Sequence, residues 1–120
     1  KVCGHEFLIG RTAHSAQDAK QAVLAGADYL GVGPCFPTKT KEFEDFATDA
    51  FLREVSEEIR LPTFAIGGIT CDNIDRLLRL GFNRFAVASS IADAADPGEE
   101  VRRMCSLLSG PTENRSLETP

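Results

Sequence analysis

The sequence predicts an α/β fold in which helices cover a parallel sheet. Four short apolar runs are typical of buried strands, because the strands of parallel sheets are continuously hydrophobic instead of alternating with polar residues. Each run is followed by a turn and then by apolar residues at helical spacing. Four consecutive strand–helix units joined by right-handed crossovers give one parallel sheet. The predicted strands are residues 7–10, 29–32, 63–66 and 85–88.

The first two predicted helices have recognisable ends. Ser15, with Asp18 three residues later, is typical of a capped helix start. Gly26 suits the left-handed position just after a helix, where other residues are strained. The second helix is predicted to begin at Thr48 or Asp49, with apolar residues recurring at helical spacing after it.

Two further helices and a short helical turn complete the expected elements. The third helix ends at Gly81, and a helical turn over residues 89–91 follows the fourth strand. The last helix begins with Asp96 as its N-cap and Pro97 at its first position. Its buried stripe is predicted to comprise Val101, Met104, Cys105 and Leu108.

The length of 120 residues suits a single domain, which we assign to residues 1–110. Residues 111–120 are polar and aperiodic, and they are expected to form a disordered tail or linker. Four strand–helix units are half of a (β/α)₈ barrel, which takes about 250 residues and rarely fewer than about 200. Because open sheet edges invite association, we expect the chain either to pair with another copy or to have been cut from a longer polypeptide. A start at Lys1 favours the second.

Composition excludes several classes of protein. The net charge is −5, and the basic residues are not clustered as they are in nucleic-acid-binding proteins. No apolar run approaches the roughly 18 residues of a membrane span. The cysteines are far apart and lack metal-site spacing, so we expect no metal ligands, reduced thiols and a cytoplasmic location. They are Cys3, Cys35, Cys71 and Cys105.

The loop after the second strand is predicted to bind an anion. Pro34 and Pro37 stiffen this loop, which leaves the carboxyl end of a strand, where parallel α/β proteins bind ligands. Two hydroxyl and two ammonium groups follow within four residues. These donors are Thr38, Lys39, Thr40 and Lys41. The alternative is an ordinary turn with solvated lysines.

A second group of donors follows the third and fourth strands. Gly67 and Gly68 allow backbone N–H groups to approach a phosphate closely, and Ser89 and Ser90 add hydroxyl donors. The alternatives are a tight turn that needs glycine for backbone reasons and serines that merely cap a helix. His14 is predicted to be structural and held by a nearby carbonyl, since it has no carboxylate partner in the sequence.

Several motifs, in order and at matching spacing, resemble the C-terminal half of thiamine phosphate synthase. The resemblance runs from about residue 9 to residue 91. The motifs are GRTAHS at residues 10–15, AGADY at 25–29, GVGP at 31–34, TKTK at 38–41, AIGGI at 65–69 and AVAS at 86–89.

This resemblance implies a fold, a reaction and a set of roles. The fold would be half of a TIM barrel. The reaction would couple hydroxymethylpyrimidine pyrophosphate to a thiazole phosphate with release of pyrophosphate, using Mg²⁺ whose ligands lie in the half of the family that this chain does not match. Thr38, Thr40 and Lys41 would hold the leaving pyrophosphate, with Lys41 as the catalytic residue, and Thr12 would also touch it. Gly68, with Ala88 and Ser89, would form the cradle for the thiazole phosphate.

Two other functions remain open. A related thiazole tautomerase-like isomerase would share the barrel, but it would be expected to lack the Thr-x-Thr-Lys run and to use a catalytic histidine. A non-catalytic phosphate-binding or regulatory module is favoured by the missing half of the barrel. In every case the expected ligands are small phosphorylated molecules, without nucleic acid or membrane partners.

Overall fold

The computed structural model describes residues 7–37 and 46–109, and every structural statement below concerns these residues. The predicted tail at 111–120 and the end of the anion-loop prediction, residues 38–41, lie outside them. In chain order the elements are β1 Gly10–Ala13, α1 Ala16–Leu24, β2 Tyr29–Val32, α2 Asp49–Glu58, β3 Thr63–Ile66, α3 Ile74–Arg79, β4 Phe85–Ala86, α4 Ser89–Ala92 and α5 Pro97–Ser109.

The strands form one sheet in the order β1-β2-β3-β4, and each neighbouring pair is parallel. The predicted α/β fold with four strand–helix units is therefore confirmed. In the part of the chain that the structure describes, no helix is both long enough and apolar enough to span a bilayer.

The first strand lies three residues later than the sequence predicted. It pairs with β2 from Gly10 opposite Tyr29 to Ala13 opposite Val32. The apolar residues Phe7 and Leu8 that suggested the earlier position are 58% and 77% exposed. The position of β1 is therefore set by its pairing with β2, which buries Ala13, and not by the apolar character of the preceding residues. The fourth strand is also shorter than predicted, since it ends at residue 86.

The helix starts agree with the sequence. Each predicted cap accepts a hydrogen bond at 3.1 Å from the backbone N–H three residues later, which satisfies a donor that the helix itself leaves free. These caps are Ser15, Thr48 and Asp96. Gly26 has a φ of 91°, as predicted for the residue that follows α1.

The predicted stripe of α5 is only half right. Met104 is buried and Leu108 is partly buried against the core, but Val101 is 41% exposed and Cys105 is also exposed. Successive helical residues are rotated by about 100°, so the four residues lie within an arc of about 100°, with Met104 at one edge and Cys105 at the other. Burial falls along this arc from Met104 to Cys105. The core contact of α5 is narrower than its apolar sequence pattern.

The two faces of the sheet have different surroundings. Leu30, Val32 and Ala65 point toward the helices and are fully buried in one core with residues such as Leu52 and Leu77. The opposite face carries an open cavity of about 730 Å³ that the helices do not line. Among its lining residues are Thr12, Tyr29, Gly31, Phe64 and Ile66. We call this surface the concave face. Parallel sheets are normally covered on both faces. Within the described residues, the concave face lacks such a cover.

Candidate functional site

A cavity of about 350 Å³ lies at the carboxyl end of the sheet. We call it the rim cavity. Three strands contribute to its wall: Pro37 comes from the loop after β2, Gly68 follows β3, and Ser89 and Ser90 follow β4. The carboxyl ends of parallel strands meet at one edge of a sheet, which explains why residues so far apart in sequence line one cavity.

Two glycines allow the loops after β2 and β3 to touch. Gly67 and Gly68 have φ values of 99° and 67°, which L side chains rarely adopt. A Cβ on Gly68 would lie 2.5 Å from the Phe36 carbonyl oxygen and 2.6 Å from that of Pro37. The Phe36 N–H also donates to the Gly67 carbonyl at 3.0 Å. Backbone packing alone thus requires both glycines, as the turn alternative supposed, and their role in binding stays a prediction.

Asn73 braces the turn that follows Gly68. Its side-chain amide donates to the Gly68 carbonyl at 2.9 Å, and its Oδ1 accepts from the Thr70 N–H at 2.8 Å. The sequence pattern does not single out Asn73 as a site residue. Its position just before an apolar helical pattern was the available signal, since asparagine favours such boundaries.

The serines after β4 do not cap α4. The N-cap position belongs to Ala88, which makes no side-chain cap hydrogen bond, and α4 begins at Ser89. The Oγ of Ser90 is buried and has no hydrogen-bond partner within residues 7–37 and 46–109. An unpaired buried hydroxyl costs about 1–3 kcal/mol. The capping alternative is therefore wrong, and Ser90, which lines the rim cavity, carries an unsatisfied hydroxyl oxygen that is itself buried.

The remaining predicted site residues lie elsewhere. Thr12 is an exposed residue of β1 and lines the concave face, so the described chain does not bring it to the rim cavity. Thr38, Thr40 and Lys41 lie outside the described residues, although Pro37, immediately before them, lines the rim cavity. The His14 Nδ1 lies 3.0 Å from the Gly33 carbonyl oxygen, which confirms the predicted contact of this histidine with a carbonyl.

Arg76 contacts Phe36, the residue just before Pro37. Its guanidinium lies 5.6 Å from the centre of the Phe36 ring, within the range of a cation–π contact. The same guanidinium donates to the carboxylate of Asp49 at the start of α2. Both partners of this ion pair are largely exposed, so its contribution to stability is small. The ion pair with Asp49 holds the Arg76 guanidinium against the Phe36 ring, which helps to fix the position of Phe36.

Cys35 is a buried residue of the loop after β2. Burial raises the pKa of its thiol to about 11, although a backbone hydrogen bond from Ile66 and the charge of Arg76 act in the opposite direction. Because the thiolate is the reactive form, this shift disfavours Cys35 as a nucleophile at neutral pH. Within residues 7–37 and 46–109, no group of three or more His, Cys, Asp or Glu side chains could hold a metal ion.

A four-stranded parallel sheet with helices on one face and a ligand-sized cavity at its carboxyl edge defines the class of this protein as an α/β half-barrel. The profile of the family described as thiamine monophosphate synthase matches residues 1–91. The chain belongs to this family, which confirms the resemblance carried by its motifs.

Individual relatives agree with this assignment. The chain is 38% identical over 118 residues to the thiamine-phosphate synthase of Halalkalibacterium halodurans, covering 98% of this chain and 54% of that protein. It is 43% identical over 97 residues to the thiamine-phosphate synthase of Gloeobacter violaceus, covering 81% of this chain and 28% of that protein. The structure of thiamine phosphate pyrophosphorylase from Pyrococcus furiosus matches with a TM-score of 0.80 and 31% identity over 92% of this chain and 52% of that one. The chain thus spans about half the length of the relatives it matches, or less.

Proposed function

We propose that this chain supplies the pyrophosphate and thiazole-phosphate sides of the site of a thiamine-biosynthesis transferase. The reaction couples hydroxymethylpyrimidine pyrophosphate to thiazole phosphate and releases pyrophosphate. Membership of the family supports the reaction class. The single observation that supports the site is that Pro37, Gly68 and Ser89 line one cavity, and Pro37 is the residue immediately before Thr38 in the sequence.

The leaving group sets the chemistry of the first side. Loss of pyrophosphate from the pyrimidine carbon leaves a carbocation and a departing polyanion, so catalysis requires fixed positive charge and hydrogen-bond donors aimed at that polyanion. Lys41 supplies the charge, and the hydroxyls of Thr38 and Thr40 donate to phosphate oxygens. Thr12 lies on the concave face, outside the rim cavity, so its hydroxyl would have to reach the pyrophosphate from that face. The thiazole nitrogen is itself the nucleophile, and no general base is needed.

The second side holds the phosphate of the thiazole. Gly67 and Gly68 have no side chains to obstruct their N–H groups, and their positive φ values turn the chain sharply at the rim. Ser89 lines the rim cavity after β4, and we assign Ala88, the residue before it, to the same side of the site. Holding this phosphate fixes the thiazole nitrogen in place for attack, which converts a bimolecular encounter into an oriented one.

From the resemblance to the family, we expect the reaction to use Mg²⁺, which would screen the charge of the departing pyrophosphate. The described residues of this chain do not fit it, because they contain no cluster of metal-ligating side chains. We therefore assign it no step here and expect its ligands in the half of the family that this chain does not match. A cytoplasmic location remains an expectation.

We also propose that four more strand–helix units complete the site by covering the concave face. They come either from a second copy of this chain or from a longer polypeptide. The exposed concave face and the coverage of about half of the Pyrococcus furiosus structure support this proposal. The missing units would carry the contacts to the pyrimidine.

A coupled assay of pyrophosphate release, with both substrates and Mg²⁺, tests the function. We expect turnover that falls by about 100-fold or more in Lys41→Ala, the loss that follows removal of one strong transition-state donor. Lys20→Ala is the matched control, because Lys20 is an exposed residue of α1 paired with Glu54. Unchanged turnover in Lys41→Ala would remove the loop from the mechanism.

A non-catalytic phosphate-binding module is the second candidate, and the coverage of about half of the relatives favours it. Calorimetric titration with pyrophosphate distinguishes it from the transferase. Binding without turnover, once the four further units cover the concave face, supports the module, whereas binding with turnover in that assembly supports the transferase. A tautomerase-like isomerase is disfavoured, since the sequence carries the run Thr38, Thr40 and Lys41 that such an isomerase would be expected to lack.

A further inference from the structure

The hydroxyl of Ser90 makes no hydrogen bond with any residue that the structure describes. Its Oγ is the one buried side-chain nitrogen or oxygen atom within residues 7–37 and 46–109 that lacks a hydrogen-bond partner. Buried polar groups are nearly always paired, and an exception at a cavity wall points to a ligand. An alanine would fill the same space without leaving a polar atom unpaired.

Polar groups of Gly68 and Thr70, which also line the rim cavity, are already engaged in hydrogen bonds. In the wall formed after β3, the Thr70 N–H donates to Asn73 Oδ1, and the Thr70 hydroxyl accepts from the Asp72 N–H. The Gly68 carbonyl accepts from the side-chain amide of Asn73. The missing partner of the Ser90 hydroxyl therefore comes from outside this network.

Ser90 lines the rim cavity beside Ser89, with Gly68 in the wall formed after β3. Its Oγ is turned away from solvent in the present rotamer. A serine side chain has three staggered wells about χ1, and rotation to another well can direct the hydroxyl into the cavity. Ligand binding would then exchange an unpaired hydroxyl for a hydrogen-bonded one.

We propose that Ser90 is a further substrate-binding residue, whose hydroxyl donates to an oxygen of the phosphate monoester held in the rim cavity. This inference rests on the proposed function, because it takes the phosphate of the thiazole as the ligand. A hydroxyl both donates and accepts, and a phosphate oxygen is a strong acceptor. Asp93, an exposed residue, also lines this cavity and opposes the negative charge of the ligand. The Ser90 hydroxyl, a neutral hydrogen-bond donor, offsets part of the repulsion between Asp93 and the phosphate.

Calorimetry with thiazole phosphate, and separately with inorganic phosphate, tests this role in the full chain. We expect Ser90→Ala to weaken binding of both ligands by about tenfold, as loss of one hydrogen bond to a charged group predicts. Ser90→Thr keeps the hydroxyl and should restore most of the affinity. Ser106→Ala is the matched control, because Ser106 is an exposed residue of α5 outside the rim cavity.

The thermal unfolding of the ligand-free variants separates binding from a structural role. Ser90→Ala should unfold at the same temperature as the unmodified chain or above it, since it removes an unpaired buried group. A loss of stability with unchanged affinity overturns the inference. If Ser89→Ala weakens binding and Ser90→Ala does not, the inference fails and the proposed function stands. If the unmodified chain binds neither ligand, both fail.

Discussion

Gly68 and Gly26 share a backbone conformation that other residues avoid, but their surroundings differ. The φ of Gly68 is 67° and that of Gly26 is 91°. A Cβ on Gly26 would meet no atom within 4 Å, whereas one on Gly68 would lie 2.5 Å from the Phe36 carbonyl oxygen. Comparing the two positions separates the cost of the conformation from the cost of displacing the neighbouring loop.

Alanine at each glycine gives different expected losses of stability. Gly26→Ala should lower the free energy of unfolding by about 1–2 kcal/mol, the cost of a left-handed non-glycine residue. Gly68→Ala should cost more, because the added methyl group must also push back the carbonyls of Phe36 and Pro37. Urea unfolding followed by circular dichroism measures both variants.

The same substitution at Gly68 also reports on the rim cavity. Since Pro37 lines that cavity, displacing it should weaken phosphate binding in Gly68→Ala. Gly26→Ala should leave phosphate binding unchanged, because Gly26 lies in the turn after α1. Equal losses of stability in the two variants would show that the loop yields without cost and that the contact of Gly68 with Phe36 is unimportant.

At the scale of elements, helix α2 packs one apolar row into the core. Leu52 is 1% exposed, whereas Leu24, the last residue of α1, is 88% exposed. Leu52→Ala should lower the free energy of unfolding by about 2–5 kcal/mol, since it removes packed methyl groups and leaves a cavity. Leu24→Ala, the matched control, should change it by less than about 0.5 kcal/mol. Denaturant midpoints test this pair, and similar midpoints would contradict the assigned core.

The elements predicted correctly are those whose signals are local. Capping by Ser15 depends on a side chain and a backbone N–H three residues apart, so the sequence is sufficient to predict it. The position of β1 depends on which residues pair with β2, and the apolar residues Phe7 and Leu8 indicated an earlier strand. The buried row of α5 likewise depends on which side faces the core, which helical spacing alone does not specify.

At the scale of the whole molecule, the sequence predicted that loops converge at the rim cavity. It did not predict the contacts that hold those loops in position. The convergence of Gly68 and Ser89 follows from parallel topology, because the loops after neighbouring strands open at one edge. The support that Arg76 gives to Phe36 could not be predicted in this way. It involves an ion pair with Asp49, 27 residues away, and a contact between helix α3 and the Phe36 ring in the loop after β2, neither of which has a periodic signature.

The concave face leads to a prediction about association. Its rings of Tyr29 and Phe64 lie edge to face, with centroids 6.0 Å apart, on a sheet surface that no described helix covers. Both edge strands, β1 and β4, also lack a partner strand on their outer side within the described chain. Apolar surface and unpaired strand edges both favour association, so we expect this 120-residue chain to self-associate through its concave face.

Sedimentation of Phe64→Ser tests that expectation. Burial of a phenylalanine side chain contributes about 1.5–3 kcal/mol, so its loss should raise the dissociation constant of the assembly by more than about tenfold. Leu107→Ser is the control, because Leu107 is an exposed apolar residue of α5, away from the concave face. Circular dichroism should show that both variants keep the helices of the unmodified chain. If Phe64→Ser sediments like the unmodified chain, or if Leu107→Ser dissociates equally, the concave face does not drive association.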